Sequence, residues 1–208
     1  MDVVSLRWCV TGLTIKQKGN NVQSSLILVD NSNVFIEGRK FSARRKGIQR
    51  QSIEERDPQD PSWRLDFGKL LEFLAEGRPI IAAILVGSTP PSNDSVWTAA
   101  KLNGFRVFTH DRGYSGQEKA VDTEIVAQGA EIICDQPTPG VVVLASGDRD
   151  FLPLVRLAQR RKWVVEMCSF SNAFAPSGAM AMEVDRVRQL DSSFDKIGRH
   201  DFVWPPAS

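Results

Sequence analysis

Cysteine is scarce in this chain of 208 residues: Cys9, Cys134 and Cys168 are the whole supply. Three thiols, odd in number and far apart, form neither a disulfide framework nor a zinc ligand set, and they suit a reducing, cytoplasmic setting. Histidine is scarcer still, with only His110 and His200. A His-rich metal site has no material, and a Ser-His-Asp triad is poorly supplied. Apolar runs are short. The longest, Ile80 to Val86, falls far below the roughly 20 residues that span a bilayer, so no membrane segment is expected. Asp2 and Arg7 interrupt the N-terminus, which has no sustained apolar stretch of the secretory kind. Charge of one sign is lacking too: 26 Lys and Arg against 25 Asp and Glu leave +1. No global field draws the chain to nucleic acid, so binding there must come from a local patch. Glycine and proline, 15 and 11 residues, are too few for a collagen-like or low-complexity chain.

Short, continuous apolar runs are present: Leu26–Val29, Ile80–Val86, Val141–Ala145 and Trp163–Met167, with Phe105–Phe108 a weaker fifth. Runs of this kind read as strands buried on both faces. Between them, Leu65–Gly77, Asp94–Gly104, Val121–Ala130 and Phe151–Arg161 read as helices. Strands alternating with helices of this length predict an α/β fold: a mainly parallel central sheet with helices on both faces, in three layers as in Rossmann-like proteins. The expected organisation is an extension over 1–24, with a strand or hairpin over Val3–Ile15, one domain over 25–192 and a tail over 193–208. Ligands of such sheets bind beyond the carboxyl ends of the strands.

Acids stand at those ends. Asp30 follows the Leu26–Val29 run. Asp148 and Asp150 follow Val141–Ala145 within Ser-Gly-Asp-Arg-Asp-Phe, and Asp122 opens a helix. Taken singly, each reads as a helix N-cap. Together at one edge they repel and lose solvation unless a cation compensates them. An all-oxygen ligand set prefers Mg2+ or Mn2+, and such a site with open positions suits phosphodiester hydrolysis. Asn33 can hold a water or orient Asp30. Glu124, two residues past Asp122, points away from it on a helix and reads as solvated or supporting. A phosphatase with paired aspartates two positions apart is disfavoured, because the second position is Ser32, and no Gly-Lys-Ser/Thr phosphate loop occurs.

Asp30-x-x-Asn33, Lys119-Ala-Val-Asp122, the string Ser146-Gly-Asp148-Arg-Asp150-Phe-Leu-Pro-Leu154, and Ser177 with Asp185 follow one another in an order that resembles the NYN domains, a branch of the PIN-like nucleases. The resemblance covers roughly 25–192. It implies a metal-dependent endoribonuclease acting on single-stranded or structured RNA. Asp30, Asp122 and Asp148 match the metal-binding acids, Asp150 a further catalytic position, and Lys119 and Asn33 fall on the substrate side. Thr123-Glu124 departs from the apolar residues common there. The alternative is a non-catalytic RNA- or protein-binding module of the same fold, and a homo-oligomer is compatible with either.

Gly38 to Arg50 holds Arg39, Lys40, Arg44, Arg45, Lys46 and Arg50, with no acid. Read as lying about one helix past Asp30 and near the site edge, it is expected to grip the RNA backbone; a solvated basic face is the plainer reading. Arg160-Arg161-Lys162 reads as a favourable helix C-terminus. His110 and Tyr114 fall in a turn at the same edge and could stack on a base.

Overall fold

The structure, a computed structural model, describes residues 23–48, 50, 52, 55–89, 95–111 and 118–205, without the side chains of 118 and 119. The expected Val3–Ile15 strand, the Asp94 cap, Tyr114 and the Lys119 side chain lie outside the described residues. In chain order the elements are β1 (Ser25–Asp30), α1 (Asn31–Arg45), β2 (Trp63–Leu65), α2 (Phe67–Ala75), β3 (Ile80–Thr89), α3 (Ser95–Leu102), β4 (Arg106–Asp111), α4 (Glu118–Asp135), β5 (Val141–Ala145), α5 (Leu152–Arg160), β6 (Val164–Ser169), α6 (Ala179–Glu183), β7 (Arg186–Gln189), α7 (Phe194–Ile197) and β8 (Gly198–His200). A 3-10 turn, Arg149–Phe151, precedes α5.

Six of the described strands form one parallel sheet in the order β4-β3-β1-β5-β6-β7, and β2 pairs with β8 antiparallel. The period-2 alternation of a strand sends its side chains to two layers. From β1, Ile27 and Val29 join Leu70 and Leu74 of α2, Trp97 of α3 and Ile197 of α7. Leu26 and Leu28 join Val121 and Ile125 of α4 and Leu154, Val155 and Ala158 of α5 on the other face. The chain is therefore a three-layer α/β fold, as its apolar runs predict.

Three expectations change on contact with the structure. The segment after Asp30 is itself a 15-residue helix, so Arg39, Lys40, Arg44 and Arg45 lie on α1, with Lys46 at its C-cap and Arg50 beyond it. Helix α2 ends where Glu76 and Gly77 both take left-handed backbone (φ 52° and 75°), one residue earlier than a cap at Gly77 alone. Past residue 192, where a tail is expected, Phe194 and Ile197 are buried and β8 completes the small sheet with β2. Among the described residues no helix is long and apolar enough to cross a membrane.

Candidate metal and nucleic-acid site

The sheet order reverses at β1: chain-sequential strands step outward to β3 and β4 on one side and to β5, β6 and β7 on the other. The crevice outside the carboxyl ends of β1 and β5 is thus the switch point where doubly wound sheets bind ligands. Asp30 is the last residue of β1, and Asp148 lies three residues past the end of β5.

Asp30 is 5% exposed. Its Oδ1 accepts from Ser32 Oγ at 2.7 Å and from the Asn33 amide at 3.1 Å, the latter bond capping α1. Its Oδ2 lies 3.5 Å from Ser146 Oγ, which donates to it. These donors are neutral. Burial raises the Asp30 carboxyl above its usual range, against the hydrogen bonds of Ser32 and Asn33, and the charge of Asp148 pushes the same way. Asp148 is half-buried and caps the 3-10 turn through the Asp150 amide, 3.0 Å from its Oδ1. Ser146 joins the two acids, for its Oγ also accepts the Asp148 amide at 3.2 Å. The sequence string containing Ser146 carried this signal, but its role as the bridge needed coordinates.

Asp122 is the fifth residue of α4, half-buried between buried Val121 and Ile125. That helix packs on β1 and β3 and touches the 3-10 turn. Asp150 is exposed. Among the described residues no three His, Cys, Asp or Glu side chains gather closely enough to hold a metal ion by themselves. The described core of the site is the Asp30–Asp148 pair, with Asp122 on the helix alongside. Its donors are hard oxygens, and Mg2+ is commonly held by one or two carboxylates with water and substrate phosphate completing the shell. The residues present fit such an ion.

Beside the pair opens a cleft of about 500 Å3 between Asn33, the Gly147–Arg149 turn, and the loop and helix start after β6. The Asn33 Oδ1 atom is buried without a hydrogen-bond partner.

The basic residues are dispersed and largely engaged. Helix α1 leads away from Asp30: Glu37 meets Asn172 of the β6–α6 loop, and Arg45 pairs with Asp195 of α7 at 2.9 Å. Arg45 is fifteen residues past Asp30, roughly 22 Å along the helix at about 1.5 Å per residue. Arg39 donates to the Asp60 carbonyl at 2.7 Å, and Lys40 pairs with Glu37 at 2.7 Å. Lys46 pairs with Asp60 at 2.7 Å. Arg44 and Arg50 are exposed. His110, at the end of β4, lies 3.4 Å from Glu124, which Gln128 also holds.

An unpredicted cluster surrounds Asp60, which is fully buried. It accepts from Ser42 Oγ at 2.6 Å, Ser62 Oγ at 2.5 Å and the Ser62 amide at 2.8 Å, beside Lys46, with His200 Nδ1 at 3.4 Å. Burial would raise this carboxyl, but the hydrogen bonds from Lys46, Ser42 and Ser62 outweigh it and hold the group well below the usual range.

A parallel sheet between two helical layers, with paired acids at its switch point, defines a three-layer α/β domain of the ligand-binding, doubly wound kind. The NYN domain family model matches residues 25–191, and the chain belongs to that family. A solved structure, a protein of unknown function (VPA0982) from Vibrio parahaemolyticus, is similar over 85% of this chain and 98% of its own, with a TM-score of 0.61 and 19% identity. At that identity the likeness speaks for the fold. No curated protein matches the chain.

Proposed function

We propose that the chain is a divalent-metal-dependent endoribonuclease whose centre is Asp30, Asp148 and Asp122, with Asp150 in support. The observation that carries this is Asp30: a buried carboxylate at the switch point, served by neutral donors and facing a second carboxylate. A bare pair of that kind is costly, and a cation relieves the cost. Mg2+ or Mn2+ bound there supplies a water of lowered pKa and charge stabilisation at the phosphorus. The chain's own residues do the positioning. Ser32 and the Asn33 amide fix Oδ1 of Asp30, Ser146 ties Asp30 to the Asp148 backbone, and Arg149 at the cleft offers a cation to a phosphate. Arg44 and the exposed basic residues around it add backbone attraction at a distance. Asn33 and Lys119 complete the substrate side of this reading, and the cytoplasm is its proposed location.

The test is a panel of labelled RNAs and DNAs incubated with Mg2+, Mn2+ or EDTA, with Asp148→Asn purified in parallel. Metal-dependent RNA cleavage lost in the variant supports the assignment. A non-catalytic binding module is the second reading, favoured by the fact that Asp30 and Asp148 each also serve as a cap. Equal cleavage by both proteins, which marks a contaminant or an activity that sits elsewhere, or none by either, overturns the nuclease assignment and leaves the binding module as the reading.

A further inference from the structure

We infer that Arg39, Arg64 and Arg199 form a phosphate subsite apart from the acids, which grips the RNA strand by a backbone phosphate beyond the scissile one. The inference rests on the proposed nuclease reading for the identity of the strand, and on the arginines alone for the anion.

The three residues come from three elements. Arg39 lies on α1, and Arg64 of β2 stands directly opposite Arg199 of β8 in their antiparallel pair. Like charges at such a cross-strand position are destabilising. One carboxylate answers both: Asp201 lies 3.2 Å from Arg64 Nε and 3.2 Å from Arg199 Nε. Arg39 has instead the Asp60 backbone carbonyl, at 2.7 Å, and a place over the Phe35 ring, 5.4 Å from its centre. The Asp60 carboxylate is taken by Lys46 at 2.7 Å. Burial and the charge of Arg64 push the Arg39 guanidinium below its usual range, with Asp60 pulling against them. Arginine does not give up its proton in proteins, so the repulsion persists. Arg39, Arg64, Arg199 and Lys46 share Asp60 and Asp201, which leaves this corner with two more cations than carboxylates.

The cations are held in place before any ligand arrives. Arg64 Nη1 donates to the Pro61 carbonyl at 2.6 Å and to the Trp63 carbonyl at 3.0 Å, and Arg39 Nε is fixed by the Asp60 carbonyl. Side chains ordered in advance lose little freedom on binding, and planar guanidinium forks match the oxygens of a phosphate. Solvent reaches all three, with Arg39 and Arg64 half-buried and Arg199 exposed. Arg39 is nine residues past Asp30 on the same helix, roughly 14 Å along its axis at about 1.5 Å per residue. The subsite therefore stands at a fixed distance from the acid pair, and a strand bound at both is gripped at two of its phosphates.

The experiment measures binding where no cleavage occurs, so that its failure is distinct from failure of the nuclease reading. Wild type, Arg39→Gln, Arg64→Gln and the double variant are titrated in EDTA with a fluorescent single-stranded RNA over a range of salt, and melting temperatures confirm that each is folded. Each single variant should lose about tenfold in affinity, the size of a hydrogen bond to a charged group. The double variant should lose clearly less than the product of the two, because both arginines act on one phosphate. Its salt slope should fall by about 0.7, the release from one phosphate of a single strand. Arg39→Lys, which keeps the charge and loses the fork, should recover only part of the loss. Wild-type affinity in the double variant overturns the subsite, and so do losses that simply multiply, which mark two independent cations. Inorganic phosphate is the second probe: if it raises the melting temperature of wild type and not of the double variant, while RNA affinity is the same in both, the site takes free phosphate and the RNA assignment falls. Coupled losses in a protein that cleaves nothing keep the subsite and remove the nuclease. If Arg39→Gln does not fold, the same cycle on Arg64 and Arg199 decides by the same criteria.

Discussion

Asp30 is 5% exposed and Asp60 fully buried, yet one carboxyl is raised above its ordinary range and the other is held well below it. Burial acts on both in the same direction. The company differs. Asp60 has the Lys46 ammonium at 2.7 Å and three donors from Ser42 and Ser62, whereas Asp30 has neutral donors and the charge of Asp148 nearby. Asp60 is compensated from within the chain and ties α1, β2 and β8 together. Asp30 is left to be compensated from outside. The contrast teaches that a buried acid marks a functional site by the cation it is denied, not by its burial.

Charge removal at the site is the sharpest way to break this comparison. Asp148→Asn or Asp30→Asn should lower metal-dependent RNA cleavage by about two orders of magnitude or more, with each capping acceptor kept by the amide. The melting temperature in EDTA should hold or rise, because repulsion is relieved. A large fall in melting temperature would show that both acids are purely structural. Glu124→Gln should be mild by the same assay.

Asp60 should answer in the opposite way. Asp60→Ala strands Lys46 and two hydroxyls, and should cost about 3 kcal/mol in denaturant unfolding. A loss under about 0.5 kcal/mol, the size of an ordinary surface change, would mean that the cluster is decorative.

Acid provides a gentler probe. The folded carboxyl of Asp60 lies below its unfolded value of about 3.9, so its stabilisation is fully present above that pH and is lost as pH falls through it toward the folded value. The melting-temperature gap between wild type and Asp60→Asn should be constant from neutral pH to about pH 5 and narrow below about pH 4. A gap that widens in acid would reverse the sign assigned here.

The smallest effect belongs to the basic helix. Arg44→Gln should leave stability within about 0.5 kcal/mol and flatten the salt dependence of RNA binding by about one unit if it meets one phosphate. Lys46→Gln should instead destabilise, since Lys46 serves Asp60. Equal behaviour of the two variants would erase the distinction between an exposed cation and an engaged one.

Four of the apolar runs show where β1, β3, β5 and β6 lie, because strands buried on both faces need no polar alternation and advertise themselves by composition, while the weaker fifth marks β4 at the exposed edge of the sheet. β7 was not legible: Arg186-Val-Arg-Gln189 has one apolar residue, and its buried Arg188 is tolerated because Glu166 meets it at 3.1 Å. Helix α1 was obscured by its polar content and by Gly38. That glycine is needed because Trp63 packs where a Cβ would stand, 2.4 Å from the ring. The positions of Asp30 and Asp148 followed from strand ends alone. The Asp60 cluster did not, since it joins Ser42, Lys46, Ser62 and His200 across 158 positions of chain, and no local pattern encodes such a meeting.

The central place of β1 also has a consequence in time. Ser25 pairs with Ile80 on one side and with Val141 on the other, separations of 55 and 116 residues. At about 5–20 residues per second of synthesis, Leu26–Val29 emerge roughly 6–23 s before their second flank exists. Contacts so distant in sequence place the domain among slow, non-local folders. Asp148 arrives on the same segment as that second flank, so the acids meet only as the sheet closes. A nascent chain carries Asp30 for most of its synthesis without the partner that makes it a site.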